Sequence, residues 1–166
     1  MTDERVRRLL ERLDAVERRL AAHAERDRPS GLTDPDQPSG ERWEAGQVWS
    51  HTAEFVPYWM EQLRSLFERY RGEPLPFGRI KTDPGRIAAI ERDREVAIPE
   101  LMARTRRAIG DLRAWLPTIE EPAWRAQGVI PNGRTVETAE IVDAFLVGHL
   151  EEHADQLDGL SARGPK

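Results

Sequence analysis

An all-α fold, a four-helix bundle with long connections, is predicted by three observations. Four stretches repeat apolar residues every three or four positions, as a helix with one buried face does. No segment alternates with the two-residue period of a strand, and no internal repeat is present. Prolines and glycines gather between the periodic stretches, where they mark turns rather than helix interiors. At 166 residues the chain suits one domain, 1–166, with a single sizeable core.

The first helix is expected over residues 3–27, with Val6, Leu9, Leu13, Val16, Leu20 and His23 along a narrow seam. Pro29 stops it, and the loop 28–42, with prolines at 29, 35 and 38, is expected to be flexible. The second helix starts between Glu41 and Glu44 and runs to about Tyr70, its stripe marked by Val48, Thr52, Phe55, Val56, Trp59, Leu63, Leu66, Phe67 and Tyr70. Pro57 lies inside it and predicts a kink, because proline lacks a donor and crowds the preceding turn. Thr82-Asp83-Pro84 supplies a cap and a proline for the next helix start. The third helix carries Ile87, Ile90, Ala97, Ile98, Leu101, Ala108, Leu112 and Trp115; Pro99 either kinks or divides it near Val96 to Ile98. Residues 117–134 read as a second long connection holding Trp124 and a tight turn at Pro131-Asn132-Gly133. Thr135 is expected to cap the fourth helix, with Glu137 in its first turn. Along that helix Val142, Leu146, His149, His153, Leu157 and Leu160 share one face by the 3.6-residue period. The tail 161–166 is expected to fray.

Composition narrows the function. Lys+Arg number 25 and Asp+Glu 30, a formal net charge of −5, and the two signs are interleaved. A nucleic-acid binder would need a concentrated basic face, so that class is disfavoured. Cysteine is absent, which excludes disulfides, zinc knuckles and a protein thiol nucleophile. No apolar run approaches the roughly 18 residues needed to cross a bilayer, and MTDERVRRLL lacks the apolar core of a signal peptide. A cytoplasmic protein without membrane association is the expectation.

The chemistry concentrates in HLEEHADQL. His149 and His153 stand four residues apart, so both imidazoles leave the same helix face with roots about 5–6 Å apart. They occupy positions where the stripe calls for leucine. Two neutral imidazoles buried together leave ring nitrogens that need partners, and a divalent metal accepts one from each. His51, at the margin of the second helix's stripe, is the candidate third ligand. The alternative for each is a satisfied core histidine. The HExxH pattern of zinc proteases is absent, and so are paired Glu-x-x-His segments for a di-iron centre.

ERWEAGQVWSHTAEF, with Trp43 eight residues before His51, and GRTVETAEIVDAFLVGHLEEHADQL together resemble the two signature regions of the DinB/YfiT-like superfamily. The resemblance implies a four-helix bundle in which one histidine of the second helix and a His-x-x-x-His pair of the last hold a divalent metal. The matching positions are His51, His149 and His153. It further implies zinc, nickel or iron with an open position, and an activity of the thiol-dependent S-transferase or isomerase kind. The partners would be a low-molecular-weight thiol, mycothiol or bacillithiol, and an electrophile. The Arg-rich, Lys-poor composition suggests a high-GC genome and so mycothiol. The second expectation is a non-catalytic metal-binding bundle serving stress response or interaction, with a homodimer formed through an apolar helix face. Glu54, one turn after His51, is the candidate catalytic base or imidazole partner, against a solvated helix face. Tyr58 either orients substrate or covers the core. Arg86 and Arg94 are read as ion-paired rather than substrate-binding. His23 is read as a core or surface residue rather than a fourth ligand, and Asp155 as pointing away from the site.

Overall fold

The computed structural model describes residues 3–37 and 39–163. Four long helical segments form the bundle: α1 (Glu4–Ala24), α2 (Ala45–Arg69), α4 (Ile98–Trp115) and α7 (His149–Ala162). Shorter helices α3 (Pro84–Asp93), α5 (Glu121–Trp124) and α6 (Thr138–Glu140) lie in the connections. α1 and α2 each pack on both α4 and α7, so the order around the bundle is α1–α4–α2–α7. The predicted seam of α1 is buried throughout. The four-helix prediction holds, and of the tail only residues 161–163 lie within the described region.

Local chemistry sets the boundaries. Asp3 caps α1 by accepting from the Arg5 backbone N–H at 3.0 Å, and Asp83 caps α3 by accepting from that of Arg86 at 2.8 Å. Glu44 and Gln47 form a reciprocal capping box at the start of α2. α2 continues through Pro57, which sits on its exposed side. Pro99 does not kink a single helix; the chain breaks between α3 and α4, with Pro99 in the first turn of the latter, where its missing N–H costs nothing.

Two expectations of the last connection are corrected. A small sheet joins β1 (Leu75–Pro76), β2 (Gln127–Val129) and β3 (Thr135–Glu137), β1 parallel and β3 antiparallel to β2. Thr135 and Glu137 therefore belong to a strand, and the helix starts at Thr138. Strands of two or three residues are too short to show a period. The turn at Pro131-Asn132-Gly133 closes the β2–β3 hairpin, with Gly133 at φ 85° as such a turn favours. The sheet carries Phe77, whose ring stacks on Trp59 of α2 at 5.3 Å, and so brings residues 79–81 over one end of the bundle.

Between α6 and α7 the backbone is a π-helix, Ile141–Gly148. Its five-residue step puts Ile141 with Leu146, and Val142 with Val147, on the buried side. Arg12 of α1 ties this segment down, donating to Asp143 at 2.6 Å and to both oxygens of Glu151 at 2.9 and 2.7 Å. The loop 28–42 makes defined hydrogen bonds: Thr33 and Trp43 pair through Thr33 N to Trp43 O at 2.8 Å and Trp43 N to Thr33 Oγ1 at 2.9 Å.

Candidate metal centre

His51 comes from the second turn of α2, and His149 and His153 from the first turns of α7. Their ligand atoms all lie within 4.8 Å of one another. Nε2 of His149 stands 3.2 Å from Nε2 of His51 and 3.1 Å from Nε2 of His153. In each ring the other nitrogen is engaged three residues onward: His51 Nδ1 on Glu54 Oε1, His149 Nδ1 on Glu152 Oε2, and His153 Nδ1 on Gln156 Oε1, each at 2.8 Å.

These acceptors fix the tautomer. A carboxylate or amide oxygen takes a proton from Nδ1, so Nε2 is left as a lone pair. Three lone pairs then converge on one point. A shared proton would satisfy one pair of them, whereas a divalent cation satisfies all three. The spacing fits: with Zn–N of about 2.0–2.1 Å and tetrahedral angles, ligand nitrogens stand about 3.3 Å apart. Three neutral imidazoles suit zinc, nickel or iron.

Aromatic walls enclose the buried imidazoles of His51 and His153. Trp43 meets His51 edge-on at 5.1 Å and stacks on His153 at 6.0 Å, while Phe55 lies 4.7 Å from His149. Burial pushes the His51 pKa well below its ordinary value, and the neighbouring His153 and His149 add to the effect. Burial, then His149, does the same to His153. The unfolded chain therefore takes up protons near pH 6.5 that the folded chain refuses. This contribution to stability is present above that pH and is lost as pH falls toward the lowered folded values. For metal-stripped protein the fall is expected to reach at most about 2.7 kcal/mol per pH unit, two protons' worth. Urea midpoints at pH 7.5 and 5.5 check this, and equal midpoints would contradict it.

Glu54 lies beside His51, and its Oε1 also accepts from Arg79. Burial raises the Glu54 pKa and Arg79 opposes that rise. Arg79 also covers the Tyr58 ring at 3.8 Å, which places Tyr58 beneath a cation. Of the arginines considered from sequence, Arg86 lies 5.1 Å over Trp43, whereas Arg94 pairs with Glu44 and Glu91. His23 bonds to Asp158 at 2.7 Å, away from the triad, and Asp155 pairs with Arg19. Sequence reasoning missed Glu152, Gln156 and Arg79. The first two were detectable, since all three histidines share a His-x-x-acceptor spacing; Arg79 arrives through the sheet and leaves no local signal.

Partners of this kind orient the ring and raise its basicity, and their loss typically weakens metal binding about 10–100-fold. Gln156→Leu is expected to weaken zinc binding by that factor, as read by competition with a chromophoric chelator. Unchanged affinity would remove Gln156 from the centre.

A cavity of about 110 Å³ opens on the His51 and His149 side, lined also by Trp59, Arg79, Ile80, Lys81 and Arg86. Among the described residues no helix is long and apolar enough to cross a membrane.

No family model and no curated protein matches the chain. Solved structures do. YfiT from Bacillus subtilis, described as "a probable metal-dependent hydrolase with an unusual four-helix bundle topology", superposes with a TM-score of 0.69 at 17% identity, over 98% of this chain and 89% of that one. A mycothiol-dependent maleylpyruvate isomerase superposes with a TM-score of 0.66 at 14% identity, over 92% of this chain and 60% of that one. An uncharacterised protein from Clostridium difficile 630 matches over 99% and 100% of the two chains, with a TM-score of 0.63 at 11% identity. The bundle of α1, α2, α4 and α7 thus has the four-helix fold of the YfiT structure.

Proposed function

We propose that this protein is a metal-dependent enzyme of the thiol-transferase kind, an S-transferase or isomerase acting on a low-molecular-weight thiol and an electrophile. The observation that carries the reading is the convergence of three Nε2 atoms, each ring held from behind, beside a cavity. Closed structural zinc sites use four protein ligands; three with space alongside leave room for a reactant. A divalent metal bound there would supply Lewis acidity, which favours the anionic form of a thiol or of water at neutral pH.

The chain's residues do the rest. Glu54, Glu152 and Gln156 fix the tautomer and aim the imidazoles. Trp43 and Phe55 exclude water from the buried side of the triad. Trp59 and Ile80 give the cavity an apolar wall for the body of a reactant. Glu54, held by both His51 and Arg79, serves to orient His51. The similarity to a mycothiol-dependent isomerase supports mycothiol as the thiol, and similarity to YfiT supports water as the alternative nucleophile.

The test is turnover by metal-loaded protein with mycothiol, bacillithiol or glutathione and a panel of electrophiles. Product formation that requires both thiol and metal is the expected result. Bound metal with no turnover under any pairing would favour a metal-binding protein without catalysis.

A further inference from the structure

We propose that the cavity beside the histidine triad binds an anionic reactant, one carrying a carboxylate that Arg86 and Lys81 hold while its other end lies against His51 and His149. This rests on the metal-site reading above and assigns it a substrate class.

The lining contains three cationic side chains, Arg79, Lys81 and Arg86, and no carboxylate. They come from the segment between the sheet and the first turns of α3, which the packing of Phe77 on Trp59 holds over the triad. Each cation has a counter-charge, but none of those carboxylates lines the cavity: Glu54 pairs with Arg79, Asp36 with Lys81, and Glu41 with Arg86. The pairings differ in quality. Glu54 is a partly buried, close partner of Arg79. Glu41 reaches Arg86 only at 3.5 Å, although the Arg86 side chain is 8% exposed.

Arg86 is therefore the group with capacity to spare. One terminal nitrogen donates to the Lys81 carbonyl at 2.6 Å, and the face of the guanidinium rests over the Trp43 ring, which fixes its plane. A guanidinium fixed in this way loses little freedom on binding and presents paired donors to a carboxylate. Lys81, half exposed and paired with Asp36, adds a second cation at the mouth. Trp59 and Ile80 leave an apolar strip for a short carbon chain. A volume of about 110 Å³ admits a few heavy atoms, so the bound part is small.

The probe is 3-mercaptopropionate against its neutral amide, 3-mercaptopropionamide, titrated into cobalt-loaded protein and followed by the thiolate-to-cobalt absorption band. The acid is expected to bind about tenfold more tightly than the amide, the worth of one charge-assisted hydrogen bond. Arg86→Met is expected to abolish that preference while leaving amide binding unchanged. Lys81→Met, at an exposed side chain that cannot affect folding much, is expected to reduce it about two- to threefold. Equal binding of acid and amide by the unaltered protein would overturn the anion site while leaving the metal reading standing. A preference that survives in both variants would assign it to chelation at the metal and overturn the proposal equally. Failure of both probes to perturb the cobalt spectrum would overturn the open position itself, and the anion site with it.

Discussion

His153→Ala is expected to reduce bound zinc from about one per chain to less than about a tenth, with a helical chain still present. His153 is 2% exposed, lies between Trp43 and Phe55, and supplies the Nε2 that stands 3.1 Å from that of His149. Removing it leaves two imidazoles, whose Nε2 atoms are 3.2 Å apart, on a cation that needs at least three protein ligands to be held against water. The metal-free variant should suffer less than a buried Leu→Ala change, which costs about 2–5 kcal/mol. Its lost packing is offset in part by relief of the repulsion among three facing lone pairs. Elemental analysis of purified protein measures the metal. A thermal melt gives an independent readout: added zinc should raise Tm in the unaltered chain by mass action and leave the variant unmoved. His23→Ala is the matched control, because His23 is buried but bonded to Asp158. It should keep its zinc. Retention of metal by His153→Ala, or loss of metal in His23→Ala, would refute the assignment.

Helix by helix, the amino-acid pattern reveals the buried face to different degrees. The seam of α1 follows a straight 3.6-residue period and its buried positions are legible one by one, whereas in α2 Trp49 and Met60 are buried outside the expected stripe and Trp59, Phe67 and Tyr70 within it are only partly buried. The last helix is legible only in part. Ile141, Val147, Leu150 and Ala154 are buried there although a straight period leaves them outside the stripe. Across Ile141–Gly148 the five-residue step that pairs Ile141 with Leu146 and Val142 with Val147 belongs to the π-helix, and no local preference announces one. That segment re-registers the helix immediately before His149. The result is that His153 is fully enclosed while His149 keeps 30% of its side chain exposed at the cavity. The His-x-x-x-His spacing identifies the pair regardless, because both residues lie in α7, beyond the π-helix. The short sheet is illegible for a different reason. Its strands are specified by pairing across about fifty residues, Leu75 with Gly128, and not by their own pattern. Since that sheet delivers Arg79 and Lys81, the cavity lining is hidden in the sequence even though the triad is not.

Gly46→Ala is expected to destabilise the protein by about 3 kcal/mol, at the upper end of overpacking costs, although alanine favours a helix over glycine by about 1 kcal/mol. Gly46 lies in the first turn of α2, where a Cβ would sit 2.1 Å from the Arg94 carbonyl oxygen and 3.2 Å from its carbon. That oxygen belongs to backbone at the end of α3 and cannot swing aside as a side chain would. The neighbouring Ser50 hydroxyl holds the same two helices together, donating to the carbonyls of Ile90 at 3.0 Å and Ala89 at 3.2 Å. Relief of the clash therefore requires the end of α3 to move off α2 and give up those bonds. For a chain of this size the cost corresponds to a drop of roughly 6–12 °C in Tm. Gly159→Ala in α7 and Gly110→Ala in α4 have no atoms within 4 Å of the added carbon, so each should stabilise by about 0.5–1 kcal/mol. One chemical change should thus have opposite signs at positions differing only in what the new methyl meets. A Gly46→Ala protein as stable as its parent would show that α2 and α3 do not approach as closely as described. Because His51 rides on the turn after Gly46, the same variant should also bind zinc more weakly, which connects this packing contact to the centre it supports.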